Sequence, residues 1–476
     1  MNQMKAFMKR HIAALLVLLL VAVSIPVGVT WAKYASSQNV TSGSGLELKA
    51  TAANQFTIDK SKMWAGLTGL STRPTAIKLC QGKDLPDGVT RQAYIEDSSL
   101  SNGQIGLYTS ADGETVYIAP IGNKTAKMYT QKDCSAMFQY NKIGYSDETV
   151  SRLTAIDGLS NLITDNATNM GSMFGGCSAV KTLDVSGFNT SNVTDMGYMF
   201  QKCKAVQALD VSKFNTSSVT NMSAMFLSCH AVTMLDVSKF DTAKVTDMSS
   251  MFAGCKVTTI DLSNFNTSEV TDMSRMFQNC AKLTTLDVSA FNTSKVESMN
   301  GMFDGCEALR SLDLSTFDTK NVWAMATMFQ WCKSLQTLDV SNFDTTQVNS
   351  FSAMFNWCSN LTELDLSSFK VSEDLRSIEN MFWGCMELKK IYVNEAFDLT
   401  KIGRDDNAFF NCTNLVGGAG TKYDKNIIGR TYAHIDGGTA NPGYFTAKTA
   451  SNAADLTKTV TVDLNGLSNI DAAPVN

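Results

Sequence analysis

Residues 209–229 read Leu-Asp-Val-Ser-Lys-Phe-Asn-Thr-Ser-Ser-Val-Thr-Asn-Met-Ser-Ala-Met-Phe-Leu-Ser-Cys, and residues 235–255 and 260–280 repeat this stretch almost unchanged. Nearly every copy ends in a Met-Phe-x-x-Cys unit, and the cysteines at its end are 25 to 27 residues apart. The ten cysteines are Cys177, Cys203, Cys229, Cys255, Cys280, Cys306, Cys332, Cys358, Cys385 and Cys412. One copy is too short to bury its own apolar side chains, so neighbouring copies must stack. The sequence therefore predicts a repeat solenoid rather than a compact enzyme domain.

The alternation of side chains within a copy predicts which of them point inward. In residues 183–186 (Leu-Asp-Val-Ser) a period of two turns the leucine and the valine inward. Val180 and Phe188 extend this pattern to the spacing of a leucine-rich-repeat strand. The methionine, phenylalanine and cysteine of each Met-Phe-x-x-Cys unit lie at i, i+1 and i+4, which suits a helical turn. We therefore expect an α/β repeat solenoid of about eleven coils with parallel β-strands and one short helical turn per coil.

The first 32 residues have the pattern of a signal peptide. A basic start is followed by the apolar run 12–29, and small Thr30 and Ala32 suit cleavage after Ala32. An uncleaved membrane anchor is the alternative, because the apolar run is about long enough to span a bilayer. We expect a cleaved signal peptide and a secreted or cell-surface protein.

The remaining chain divides into four parts by composition. Residues 33–130 lack the repeat and contain β-branched and aromatic runs between turn signals, which predicts a β-rich N-terminal domain. The solenoid is expected at residues 131–416, and the glycine-containing stretch 417–446 reads as a C-terminal cap. Residues 447–476 are polar and small, and we expect a tail or the start of a truncated β module.

The charge balance limits the classes of partner. Acidic residues number 45 against 40 Lys and Arg, which gives a formal net charge of -5. Binding of a phosphate backbone needs clustered Lys and Arg, so we expect no nucleic-acid partner. We also expect a monomer with no membrane insertion after the signal peptide is cleaved.

Export together with twelve cysteines would ordinarily suggest disulfides. The ten repeat cysteines, however, fall in one column of a stack whose coils are about 4.7–4.9 Å apart. Parallel Cβ atoms at that separation miss the roughly 3.5–4.5 Å that a disulfide requires. Zinc would need paired C-x2-C spacings, and the sequence has none. We expect a buried ladder of reduced structural cysteines, with Cys80 and Cys134 outside the series.

No residue pattern in the sequence indicates catalysis, a metal or a cofactor. A Cys229–His230 dyad occurs in a single copy and lacks a third orienting group. An outward aspartate column can bond to nearby serine and threonine, or it can hold Ca²⁺ between coils. The column comprises Asp184, Asp210, Asp236, Asp261, Asp287, Asp313, Asp339 and Asp365. We expect no metal, because the nonapeptide repeat that binds calcium is absent.

Four of the six tryptophans, Trp323, Trp331, Trp357 and Trp383, lie within 61 residues. Trp331 and Trp357 occupy the position before the cysteine in consecutive copies, where earlier copies have Gly, Lys, Ser or Asn. One interpretation is aromatic packing next to the C-terminal cap. The other is an exposed patch that binds a protein or glycan.

The motif L-D-V-S-x-F-N-T-S-x-V-T-D-M-S-x-M-F-x-x-C resembles that of the BspA-like leucine-rich-repeat family of bacterial surface proteins. The resemblance extends from about Cys134 to Phe445. It implies an exported protein that acts in adhesion to host or matrix components and carries no catalytic residues.

These observations lead to an expected function. We expect a secreted or cell-surface bacterial repeat protein, not an enzyme, that binds a host or matrix protein or a glycan without a cofactor. The alternative is a structural component of the cell wall or biofilm matrix with no specific ligand. A secreted hydrolase is disfavoured, because no acid/base pair interrupts the repeat.

Overall fold

The computed structural model describes residues 56–101, 103–122, 125–144 and 152–449. The signal peptide expected at residues 1–32 lies outside the described residues, as does the tail from residue 450. Within the described ranges no helix has the length and apolar character needed to cross a membrane.

The described residues contain few helices and several short strands. The strands are β1 (Phe56–Thr57), β2 (Ala76–Leu79), β3 (Thr90–Tyr94), β4 (Ile105–Thr109), β5 (Thr115–Pro120), β6 (Met128–Tyr129), β7 (Ala155–Asp157), β8 (Leu162–Ile163), β9 (Glu363–Asp365), β10 (Lys390–Val393) and β11 (Thr446–Ala447). The helices are α1 (Lys60–Thr68) and the short 3-10 helices Gly82–Asp84, Leu159–Asn161, Arg430–Tyr432 and Gly438–Ala440.

Three sheets organise these strands. The largest has the order β3-β4-β5-β2-β7, in which β3, β4 and β5 are antiparallel and β2 lies parallel between β5 and β7. The parallel sheets β1-β6-β8 and β9-β10-β11 lie near the two ends of the described chain. Because β7 and β8 come from the start of the repeats, the N-terminal sheets continue directly into the repeat stack.

The helix α1 is fixed at its start and along one face. The Asp59 carboxylate accepts the N–H groups of Ser61 and Lys62 at 2.9 and 3.2 Å, which satisfies donors that the first turn leaves free. Met63 and Leu67 are buried, and their i, i+4 spacing places them on the same face of the helix. That apolar face holds α1 against the N-terminal sheet.

The same helix attaches the N-terminal domain to the first repeat. The Lys60 ammonium is 2.9 Å from an Asp133 carboxylate oxygen and donates to the Ser135 hydroxyl at 3.1 Å. The Trp64 indole donates to the Met137 carbonyl at 3.1 Å. The N-terminal domain therefore covers the end of the stack, as a terminal repeat requires.

Successive repeats hydrogen-bond to one another through the stretch that ends in each cysteine. In one junction the N–H groups of Met196, Tyr198, Phe200 and Lys202 donate to carbonyls of the next repeat at 2.7–3.0 Å. The donors are alternate residues, so each repeat contributes a row of parallel bonds to its neighbour. Isolated parallel bridges mark the same register at Asn169, Asp195, Asn221, Asp247, Asp272, Ser298 and Ala324. The described chain from residue 152 is thus a repeat fold with regular inter-repeat bonding.

The prediction of a helical turn in every copy is wrong. The Met199 N–H donates to the Met196 carbonyl at 3.2 Å, and the Cys203 N–H donates to the Phe200 carbonyl at 3.1 Å. The third residue of each of these turns, Tyr198 or Lys202, has a φ of about 60°. These are consecutive type II turns. Alternate N–H groups reach the next repeat, so they cannot form the i→i−4 bonds of a helix.

The expected strand at Leu-Asp-Val-Ser forms only in part. Side chains alternate as predicted, with Leu183 and Val185 buried and Asp184 exposed. The backbone donors are used locally, because the Ser186 N–H bonds to the Asp184 carboxylate and the Phe188 N–H bonds to the Val185 carbonyl. Among the described repeats, regular strands at this position appear at β7, near the N-terminal end, and at β9 and β10, near the C-terminal end.

Two buried columns run through the repeats. Consecutive phenylalanine rings stack nearly parallel, with centroids 5.7–5.9 Å apart from Phe138 to Phe382. Beside them runs a column of buried threonines. The Thr267 hydroxyl donates to the Asn292 carbonyl at 2.9 Å and accepts the Asn292 N–H at 2.8 Å. Each repeat is therefore held to the next by both apolar contact and paired hydrogen bonds.

The C-terminal part, residues 417–446, is organised around a buried carboxylate. One Asp436 oxygen accepts the N–H groups of Ala419 and Thr421 at 2.8 and 2.9 Å. The other accepts the Thr421 hydroxyl and the Gly438 N–H at 2.7 and 2.9 Å. Burial alone would raise the pKa of Asp436, but the hydrogen bonds from Thr421 and Gly438 lower it to about 2. The ionised carboxylate thus joins loops that cover the last repeat.

Candidate partner-binding surface

The turns around each cysteine bring two residues of every repeat to one side of the stack. The residue before the cysteine donates the last hydrogen bond in the row that joins two repeats. The residue after the cysteine is the first one beyond the turn. In the repeat of Cys203 these are Lys202, which is partly exposed, and Lys204, which is exposed. We call the residues immediately before and after the ten cysteines, from Cys177 to Cys412, the cysteine-flanking face.

Trp331 and Trp357 form an aromatic pair on this face, which we call the tryptophan stack. Their rings are 5.1 Å apart between centroids and only 11° from parallel. Both side chains are partly exposed. The next repeat has Gly384 at the same position, where an added β-carbon would lie 2.9 Å from the Trp357 ring. The stack therefore depends on a glycine neighbour that leaves room for the second indole.

Both tryptophans have a left-handed backbone conformation, with φ values of 59° and 57°. This conformation is uncommon for a bulky residue and costs on the order of 1–3 kcal/mol. Other repeats place Gly176, Gly254 or Gly305 at the same position, where glycine adopts a positive φ without that cost. The fold thus does not need tryptophan at this position.

A lysine adjoins the tryptophan stack. The Lys333 ammonium lies 4.7 Å from the centroid of the Trp331 ring, within range of a cation–π interaction. It is also 3.1 Å from a carboxylate oxygen of Glu307 in the preceding repeat. The exposed side of the stack therefore combines an aromatic surface with a lysine–glutamate ion pair.

The other two predicted tryptophans are placed differently. Trp383 makes an edge contact with Phe410 at 5.5 Å between centroids, and Phe410 is exposed. Trp323 is 46% exposed but belongs to another column, since its backbone N–H donates to the Glu297 carbonyl. The structure thus brings Trp331 and Trp357 together and leaves Trp323 elsewhere. Phe410 was not predicted as a site residue, although it lies two residues before its cysteine, as Trp383 does.

The ten repeat cysteines form a buried column beneath this face. Each thiol donates to the carbonyl of the phenylalanine one repeat earlier, as Cys203 does to Phe174 at 3.3 Å. Burial raises the pKa of Cys177 to about 12. All twelve cysteines are described and all are free in the structure. Their arrangement is that of a structural ladder rather than a set of reactive thiols.

The aspartate column is occupied by local hydrogen bonds. An Asp184 oxygen accepts the Ser186 N–H at 3.2 Å and the Ser186 hydroxyl at 2.6 Å. These bonds lower the pKa of Asp184, and the same pairing recurs down the column, for example at Asp210 and Ser212. No group of three or more His, Cys, Asp and Glu suited to a metal occurs among the described residues.

The Cys229–His230 pair has no catalytic geometry. The Cys229 thiol donates inward to the Phe200 carbonyl at 3.2 Å, whereas His230 is exposed. Partial burial of the imidazole lowers the pKa of His230, and the nearby charges of Lys204 and Lys256 lower it further. The thiol is therefore buried in the core and the imidazole lies at the surface, so the two groups do not form a catalytic pair.

A comparison with protein families agrees with a repeat protein, because one family profile matches three successive segments of the chain. The sequence profile of a family described as "Mycoplasma protein of unknown function, DUF285" matches residues 132–256, 227–313 and 304–417, together more than half of the chain. A solved structure, the functional domain of InlJ from Listeria monocytogenes, described as including a cysteine ladder, is 17% identical. The match covers 57% of this chain and 70% of that chain, with a TM-score of 0.18. A search of curated proteins gives no match.

Proposed function

The chain belongs to the family described as Mycoplasma protein of unknown function, DUF285, and we propose that it is a non-catalytic binding scaffold whose partner docks on the tryptophan stack. In this proposal the repeats form a leucine-rich-repeat-like solenoid of the BspA kind. The protein is secreted or held at the cell surface, where it binds a host or matrix protein or a glycan.

The observation that carries the proposal is the strained and partly exposed Trp331–Trp357 pair. Left-handed tryptophan costs stability where neighbouring repeats use glycine, so packing alone gives no reason for it. Tryptophan is also enriched at the centres of interfaces, where its large rigid ring supplies much of the binding energy. A partner that covers the two rings would offset the strain.

Adhesion suits the rest of the described surface better than catalysis does. The cysteines are buried as a column, and the aspartates that head Asp-x-Ser turns bond to the serine two residues on. The regular repeat offers a long surface on which a macromolecule can make many similar contacts. We therefore extend the proposal to the absence of an enzymatic activity and of a cofactor.

A structural component of the wall or matrix is the second candidate. The edge contact between Trp383 and Phe410 lies close to the C-terminal cap, which favours a packing role for that pair. In this alternative the tryptophan stack continues the same aromatic cover and has no ligand.

A glycan and matrix-protein array probed with the protein separates the two candidates. We expect at least one array component to bind, and its dissociation constant to rise at least tenfold for the double variant Trp331→Gly, Trp357→Gly. The matched control is Tyr198→Gly, since Tyr198 is also exposed and left-handed with a φ of 61° but lies five residues before its cysteine. Binding that survives the double variant, or an array without binders, would favour the structural candidate.

A further inference from the structure

A basic column lies on the cysteine-flanking face in the earlier repeats. Lys204, His230 and Lys256 each follow the cysteine in three consecutive repeats, and all three side chains are exposed. None of the ion pairs found in the described part of the chain involves them. Coils in such a stack are about 4.8 Å apart, so the two lysines lie about 10 Å from each other with the imidazole of His230 between them.

Acidic residues are missing from the surroundings of this column. The turns at 175–182, 201–208, 227–234 and 253–260 contain no Asp or Glu, although acidic residues outnumber basic ones in the whole chain by 45 to 40. The charges of Lys204 and Lys256 both act on His230 between them, and no acidic residue of these turns balances them. A bound anion would balance them.

The basic column and the tryptophan stack share one face and one direction. Three repeats separate Cys255 from Cys332, which corresponds to about 14 Å at 4.8 Å per coil. Lys333 occupies the position after the cysteine, as Lys256 does, and reaches over the Trp331 ring. A linear polymer lying along the stack can therefore contact both features, and between them it passes Glu307, whose carboxylate is paired with Lys333.

We propose that the cysteine-flanking face binds an acidic polysaccharide strand, whose carboxylate or sulfate groups pair with Lys204 and Lys256 and accept a hydrogen bond from His230, and whose sugar ring packs on Trp331. This inference rests on the proposed function and names its partner. The C–H groups of a sugar ring fit the negative face of an indole. A column with two lysine cations is short for duplex DNA, which carries one charge per roughly 1.7 Å.

The test uses heparin as the acidic probe and dextran as the neutral probe. We expect heparin to bind the protein with an affinity that falls as salt rises, and dextran to bind at least tenfold more weakly. The variant Lys204→Glu, Lys256→Glu should raise the heparin dissociation constant at least tenfold. The matched control is Lys213→Glu, Lys239→Glu, which reverses the charge of two exposed lysines of consecutive repeats outside the cysteine-flanking face. The control should change the constant less than twofold.

Three results would overturn this inference. They are an absence of heparin binding, equal losses in the two lysine variants, and tighter binding of single-stranded DNA than of heparin. If an array partner binds through the tryptophan stack and is indifferent to Lys204→Glu, Lys256→Glu, the proposed function stands and this inference fails. Melting temperatures of the variants within about two degrees of the parent would exclude unfolding as the cause.

Discussion

At the residue scale, the most informative position is the one before each cysteine. Its backbone is left-handed in repeat after repeat, and most of the residues there are glycine or short polar side chains. Lys202, Trp331 and Trp357 are the exceptions, and the two indoles are held by each other and by the space at Gly384. The position is therefore where the repeat can change its surface without changing its core.

Replacing both tryptophans by glycine should leave stability nearly unchanged. Relief of left-handed strain of about 1–3 kcal/mol per residue opposes the loss of ring contact and the added freedom of the unfolded chain. We expect the melting temperature of Trp331→Gly, Trp357→Gly, measured by circular dichroism, to lie within about three degrees of the parent. A melting temperature lower by many degrees would mean that the two rings stabilise the fold by packing next to the C-terminal cap.

The thiols of the ten repeat cysteines should not react with thiol reagents in the folded protein. Burial raises the pKa of the ladder thiols, to about 12 at Cys229, so almost no thiolate exists at pH 8. Cys80 is half-buried, and burial and Asp84 raise its pKa to about 11. Titration with a thiol reagent should therefore find at most one slow thiol in native protein and twelve after denaturation. Disulfides that persist after denaturation would contradict the ladder.

At the scale of the repeat, the threonine column is a buried polar contact between neighbours that adds to the row of backbone bonds. The Thr267 hydroxyl satisfies both the N–H and the C=O of Asn292, and it is buried. Valine keeps the shape but leaves both backbone groups unsatisfied, which costs about 1–3 kcal/mol. Thr267→Val should lower the urea midpoint clearly, whereas the exposed Thr271→Val in the same repeat should not. Equal midpoints would contradict this role of the column.

The aspartate column should not need calcium. The carboxylates of Asp184 and Asp210 already accept two hydrogen bonds each from their own serine. An ion that bound only the folded state would raise stability, and a chelator would remove that gain. We expect thermal melts with and without EDTA to coincide. A drop of several degrees in EDTA would indicate an ion between repeats.

Periodicity predicts the stacking of repeats and the direction of their side chains, because apolar residues recur at fixed places in every copy. It does not separate a helical turn from consecutive type II turns, since both put the Met-Phe-x-x-Cys side chains inward. The glycines at 176, 254 and 305 were the available signal for the turns. Register within the repeat places Trp331 beside Trp357, whereas Trp323 lies near them only in sequence.

At the scale of the molecule, the repeat stack is closed at both ends by different structures. The N-terminal domain contacts the first repeat through Lys60 and Trp64, and the C-terminal loops gather around Asp436. Terminal repeats need such covers because an open end exposes apolar side chains. Among the residues that the structure describes, none covers the cysteine-flanking face, which runs along one side of the stack.

The most direct test of the binding account is oxidative footprinting of the protein with and without the tightest array partner. Bound partner should reduce oxidation of Trp331 and Trp357 several-fold. Trp323 and Met234, which are 46% and 83% exposed and lie off the cysteine-flanking face, should oxidise at unchanged rates. Unchanged oxidation of the two stacked indoles, or equal protection of Trp323, would contradict the account.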